Sequence, residues 1–203
     1  MPGPDGATLA LDTCLGACSV AVRAGEETVR VSEVVGTGHA ERIAPMVRDA
    51  LAEAGVRAAD LTRICATVGP GSFMGARVGI SLAKGLALPG GAACVPITTL
   101  DAIALSAPPG AAVLIDARRG QAYVLAPGGR PRLASRDEAR LVAEAAPAVR
   151  GVGLSALLGE GAPGDAFPDP GAMAAWAETA APAPLSPLYL RAPDAKPAKQ
   201  APL

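Results

Sequence analysis

Short β-prone runs open the chain and a helical spacing of apolar residues follows, and this change of period predicts the order of elements. "TLALD" at 8–12 and "CSVAVR" at 18–23 are strand-like, and Asp12, Thr13 and Gly16 between them supply turn chemistry. The pair therefore predicts a hairpin with a carboxylate at its tip. Further strand runs stand at 29–35, 64–68, 93–97, 112–115 and 122–125. Between them, Ile43, Met46, Val47, Ala50 and Leu51 recur at helical spacing, predicting a helix from about His39 to Ala54 that Gly55 stops. A second helix is predicted from about Gly75 to Leu88, halted by Pro89 and two glycines. Strands first, then strand and helix in alternation, indicate an α/β fold with a mixed sheet.

Beyond about residue 105 the pattern weakens. "DARRGQAYVLAPGG" reads as strand, turn and strand, and "SRDEARLVAEAA" as a helix entered through Ser135. Residues 159–187 are rich in Gly, Pro and Ala, with a short helical piece at about Ala172 to Thr179. The last stretch, "RAPDAKPAKQAPL", is polar and Pro-punctuated, and is expected to be mobile.

Composition narrows the function classes. Of 203 residues, half are hydrophobic, enough to bury a proper core, and 18 basic against 19 acidic residues leave a net charge of -1. Such a balance offers no basic field to hold nucleic acid unaided, so any RNA role is expected to be shared. No apolar run reaches the roughly 18 residues of a membrane span, and no basic region precedes an apolar stretch at the start; the expectation is a cytoplasmic protein. Cys14, Cys18, Cys65 and Cys94 lack paired spacing and have a single histidine, His39, to join them, which favours buried free thiols over a zinc site or a disulfide framework.

"VGPGSFMGARVGISLAKGLAL", residues 68–88, has the layout of a phosphate-holding strand, glycine turn and helix. It fails the G-x-x-x-x-G-K-[ST] pattern, because Ala76 and Arg77 follow Gly75. It fails G-x-G-x-x-G as well, because position 74 is methionine. A generic anion site at the helix start, with Ser72, stays open. The helix itself has two apolar stripes, a smooth one of Gly75, Gly79, Ala83 and Ala87 and a bulky one of Val78, Leu82 and Leu86. Interior glycines cost about 0.5–1 kcal/mol each against alanine, so the smooth stripe must pack closely, either on the chain's own sheet or on a helix of a second chain.

"LALDTCLGACSVAV", "GHAERIAPMVRDALAEAG", the 68–88 stretch, "PITTLDAIA", "DARRGQAY" and "PLYLRAP" stand in the order and at about the spacing seen in the TsaB (YeaZ) family, which the chain resembles. The likeness is close over 8–104, patchier at 112–124 and 187–193, and weak between. Met74 stands where the family commonly has threonine and Ala76 where it commonly has leucine.

The resemblance implies an α/β fold of the actin, hexokinase and Hsp70 (ASKHA) type. Its two lobes would be an N-terminal one at 7–104, carrying partner-docking helices, and a reduced one at 105–192, with a mobile tail at 193–203. It implies a non-catalytic subunit that pairs with TsaD, joined by the ATPase TsaE, for threonylcarbamoyl transfer to the adenosine beside the anticodon of tRNA. The metal and ATP would belong to those partners, with no cofactor held here, and tRNA would be met only through the complex. Docking through the first two helices makes Glu41, Arg42, Ile43, Met46, Ser72, Phe73, Gly75, Gly79 and Ala83 the candidate contact residues; a homodimer of the free chain is a separate expectation, whose contact surface the sequence leaves open. Asp12 and Thr13 keep two readings, a retained nucleotide site or a plain turn. The competing function is a small ASKHA-type enzyme with its own ATPase or glycoprotease-like activity. Against it, no H-x-x-x-H pair can exist with one histidine, and Ser72 and Cys14 have no histidine near them in sequence.

Overall fold

The structure, a computed structural model, describes residues 6–191; the tail expected at 193–203 lies outside them. The chain begins with three antiparallel strands, β1 (Ala7–Asp12), β2 (Ala17–Ala24) and β3 (Glu27–Val34). Helix α1 (His39–Glu53), strand β4 (Leu61–Thr67), helix α2 (Phe73–Gly90) and strand β5 (Ala93–Ile97) follow, β4 and β5 joining in parallel. The sheet order β3-β2-β1-β4-β5 puts β1 at the centre, and all six of its residues are buried. Its alternation assigns the two faces. Leu9 and Leu11 enter a core with Ile43, Met46 and Val47 of α1 and Ile80 and Ala83 of α2. Ala10 turns to the opposite face.

The short α3 (Thr99–Ala104) leads into a second sheet of order β8-β7-β6-β9, made of β6 (Ala112–Asp116), β7 (Gln121–Leu125), β8 (Arg132–Ser135) and β9 (Val149–Val152). Leu100 and Ile103 of α3 pack on one face of it with Val113 and Ile115. The other face is covered by α4 (Arg136–Ala145) and α5 (Leu154–Leu158), through Ala139, Leu154 and Leu157. Ser135 starts α4 as expected: its hydroxyl accepts from Glu138 N at 3.2 Å while its own N–H donates to Glu138 Oε2 at 2.8 Å. The run "RLAS" became β8 and "VRGV" became β9; four residues each carry too little alternation to announce a strand.

Several boundaries differ from expectation by two or three residues, among them the starts of β4 and of the helix expected at about Ala172, and two differences have a clear physical reason. Helix α2 starts two residues earlier, where the Ser72 hydroxyl accepts from Gly75 N at 3.1 Å, and it runs through Pro89 to a left-handed Gly91 (φ 66°). A proline in the last turn forgoes only its own N–H bond, so the helix need not end before it. The division at 105–192 also needs correction. Helix α6 (Pro170–Ala177) packs on the first sheet, Met173, Ala174 and Ala177 meeting Ala10, Ala21 and Cys65. After it, Ala183 N donates to Cys94 O (3.0 Å) and Leu188 N to Val68 O (2.7 Å), and Leu185 is buried in the first core. The small side chains on that sheet face leave room for a helix, which the chain supplies from its last quarter.

Candidate docking face and the cleft between the lobes

Helix α2 is pressed onto the end of β1 by three glycines. Ser72 N donates to Cys14 O at 2.7 Å, and a Cβ at Gly71 would run into that same carbonyl. A Cβ at Gly75 would run into Thr13 O, and one at Gly79 would stand 2.5 Å from Thr13 Oγ1 and 3.1 Å from Leu11 Cδ1. The Thr13 hydroxyl donates to Gly75 O at 2.7 Å, closing the contact. The smooth stripe therefore faces the chain's own sheet. Gly75, Gly79 and Ala83 are buried there and cannot touch a partner, nor can Ile43 and Met46, which α1 buries in the same core. Of the nine candidate contact residues, Glu41, Arg42, Ser72 and Phe73 remain at the surface, and the Arg42 guanidinium is held by Glu33 of β3.

What faces outward on α2 is a different stripe, Met74, Arg77, Ser81, Lys84 and Leu88, at alternating steps of three and four residues. Met74 is 65% exposed and Leu88 82%. Helices α1 and α2 lie in contact, Val78, Leu82 and Leu86 packing into the shared core, so Glu41, Ala44, Arg48 and Ala52 of α1 continue the same surface. At the N-terminal end of α2 the Phe73 ring stacks on that of Tyr189, centroids 5.3 Å apart. The Arg77 guanidinium lies 3.6 Å over Phe73, and its Nε donates to Tyr189 Oη at 3.1 Å. Sequence reasoning missed Met74, Arg77, Lys84, Leu88 and Tyr189. The three-four spacing of the first four together with Ser81 was the available signal; nothing in sequence joins Tyr189 to a helix 112 residues away.

Of the two readings kept for Asp12 and Thr13, the turn has the geometry on its side: both are buried, and neither lines the cleft described below. Asp12 Oδ1 accepts from Thr67 Oγ1 at 2.6 Å and from Cys14 N at 3.0 Å, while Oδ2 is buried without a partner. Burial raises its pKa, against the Thr67 and Cys14 hydrogen bonds that lower it. Cys14 is equally enclosed, its thiol pushed up to about 12 by burial and then by the Asp12 charge, so it is no thiolate nucleophile. Ser72 spends its hydroxyl on capping α2. His39 lies with Nε2 2.6 Å from Leu15 O, so that nitrogen carries the proton and ties α1 to the β1–β2 turn. Cys18 and Cys65 are buried and free, and Cys94 half-buried and free.

Between the two sheets lies a cleft of about 750 Å³, bordered by His39, Met74, Asp116, Arg118, Tyr123 and Arg191 among others. Arg118 and Arg119 both sit at positive φ (61° and 54°) in the β6–β7 turn. Arg191 reaches over from the C-terminal segment, its Nη2 donating to Gln121 Oε1 at 2.6 Å and to Arg118 O at 3.3 Å.

Comparison with known proteins places this architecture. The family model for TsaD, tRNA N6-adenosine threonylcarbamoyltransferase, matches residues 31–154, more than half of the chain. The tRNA threonylcarbamoyladenosine biosynthesis protein TsaB of Haemophilus influenzae is 37% identical over 57% of this chain and 51% of its own length. That of Escherichia coli is 40% identical over 57% of this chain and 52% of its own. The chain belongs to the TsaB (YeaZ) family. Its fold is of the ASKHA type. A solved structure described as a protein similar to peptidase YeaZ, from Pseudomonas aeruginosa, superposes with a TM-score of 0.78 at 28% identity. That match covers 92% of this chain and all of the other. The chain spans about half the length of the two curated TsaB relatives. Among the described residues no helix is long and apolar enough to cross a membrane.

Proposed function

We propose that this chain is a non-catalytic scaffold and activator that pairs with TsaD, with TsaE joining them, for threonylcarbamoyl transfer to the adenosine next to the anticodon of tRNA. The observation that carries the reading is the connected outward face of α1 and α2. It presents Met74, Leu88 and the Phe73–Tyr189 stack to solvent, although none of them stabilises this chain's own core. Exposed apolar side chains rimmed by Arg and Glu are the composition of a protein interface. The groups that could do chemistry are otherwise engaged: Ser72 caps a helix, Cys14 is buried, His39 holds a turn. ATP and the metal ion would then be supplied in the partner subunits, tRNA would be met through the complex in the cytoplasm, and the free chain would pair with itself through the same face.

The size of the cleft favours a second reading, a small enzyme with its own ATPase or hydrolytic activity, since about 750 Å³ is ample for a nucleotide. One set of assays separates the two. The chain alone should turn over neither ATP nor peptide and should modify no tRNA, whereas the chain with TsaD and TsaE should yield modified tRNA and co-purify with TsaD. Robust turnover by the chain alone would install the enzyme reading.

A further inference from the structure

Resting on the docking reading above, we infer that the C-terminal segment 185–191 is a third docking element beside α1 and α2. Its Tyr189, together with Phe73 and Arg77, forms the hot spot that receives an apolar side chain and a neighbouring carboxylate from a helix of the transferase partner.

The chain has five aromatic residues in all, and two of them are spent on this one surface spot. Phe73 is 50% exposed and Tyr189 46%, even after stacking on each other. A ring pair that served only the fold would be covered; this one borders Met74, which is more exposed still. Phe73, Tyr189 and Arg77 are in mutual contact, and Tyr and Arg are among the residues that dominate binding energy at protein interfaces, where Phe and Met are also enriched.

The spot is held ready. Tyr189 follows Leu188, whose N–H is bonded to Val68 O at 2.7 Å, and precedes by two residues Arg191, which is bonded to Gln121 and Arg118 of the second lobe. With the backbone tied at Leu188, the Arg191 side chain held across the cleft and the phenol hydroxyl accepting from Arg77 Nε, little freedom is left to lose on association. The partner's chemistry follows from what stays unmatched. Arg77 uses Nε on Tyr189, and among the described residues no carboxylate pairs with it. Helix α2 carries Arg77 and Lys84 and no acidic residue at all, so its outward stripe asks for carboxylates opposite. Phe73, Met74 and Tyr189 around Arg77 ask for an aliphatic or aromatic side chain.

The test is the affinity of purified TsaD from the same organism for the full chain and its variants, with a melt for each. Tyr189→Ala and Arg77→Glu should each weaken binding by roughly ten-fold or more, as truncation of a hot spot does. Their melting temperatures should stay within a few degrees, because both side chains are surface groups. Tyr189→Phe, which keeps the ring, should lose far less, and Leu141→Ala on the exposed face of α4 should lose nothing. Tyr189→Ala and Arg77→Glu both binding within about twofold of the unchanged chain, while Ser81→Arg in mid-helix abolishes binding, would sink the hot spot and leave the two-helix docking standing. Failure of the unchanged chain to bind TsaD would overturn both.

Discussion

The two long faces of α2 alternate within the same eighteen residues and carry opposite chemistry. The inward one carries glycine and alanine beside Ile80, and at Gly75 and Gly79 it presses so closely on Thr13 that an added methyl group would collide. The outward one holds Met74, Arg77, Ser81, Lys84 and Leu88, long side chains with room and few partners. Smoothness on a helix thus marks here where the chain meets its own backbone, and the exposed mixed stripe marks where another molecule is expected.

Substitutions on the two faces put that contrast at risk. The largest effect is expected from Gly79→Arg, which drives a charge and a long side chain against Thr13 and Leu11. Overpacking and a buried unpaired charge together cost several kcal/mol, so the variant should show no cooperative melt. A folded Gly79→Arg would return the stripe to the surface. Gly79→Ala should fold but lose about 1–3 kcal/mol in urea titration, the cost of a Cβ too near Thr13 Oγ1 outweighing alanine's better helix propensity. On the outward face, Ser81→Arg should leave the melt unchanged and stop TsaD from being pulled down; a loss of stability instead would mean that this face is packed.

A third probe addresses the floor under the inward stripe. Burial raises the Asp12 pKa above its ordinary value of 3.8, so the folded chain holds that proton more tightly than the unfolded one. The resulting stability is full below the ordinary value and is lost as pH rises through the folded one. Relative to Asp12→Asn, the unchanged chain should therefore lose unfolding free energy as pH is raised from about 4 towards neutrality. A difference that stays flat over that range would show that Asp12 keeps its charge when folded. The smallest effect belongs to Leu88→Gln, at a side chain 82% exposed, where denaturant unfolding should move by less than about 0.5 kcal/mol.

Much of the first lobe was legible because its strands are long enough to alternate and its first helix carries a stop: Gly55 and the Asp12 turn fell where their chemistry put them, as did the Ser135 cap of α4 in the second lobe. The direction of the Gly75–Gly79–Ala83 stripe was not. Small residues at helical spacing suit a sheet and a second helix equally, and the choice was made by the carbonyls of Thr13 and Cys14, some sixty positions earlier in the chain. The same reason hid Ile43 and Met46, whose apolar spacing announced a core face as readily as a contact face. Tyr189 was hidden by distance alone.

The return of α6 to the first sheet gives the molecule an order of assembly. As the chain leaves the ribosome, β1, β2 and β4 can collect α1 and α2 at once, but the face with Ala10, Ala21 and Cys65 stays bare until Met173, Ala174 and Ala177 have been made. The second sheet is inserted in between. Contacts that span more than 150 positions are late and slow to form, and in the interval the uncovered strands are open to wrong neighbours. A nascent chain halted before residue 170 is thus an unfinished first lobe carrying a finished second one, and it is the kind of species that chaperones attend.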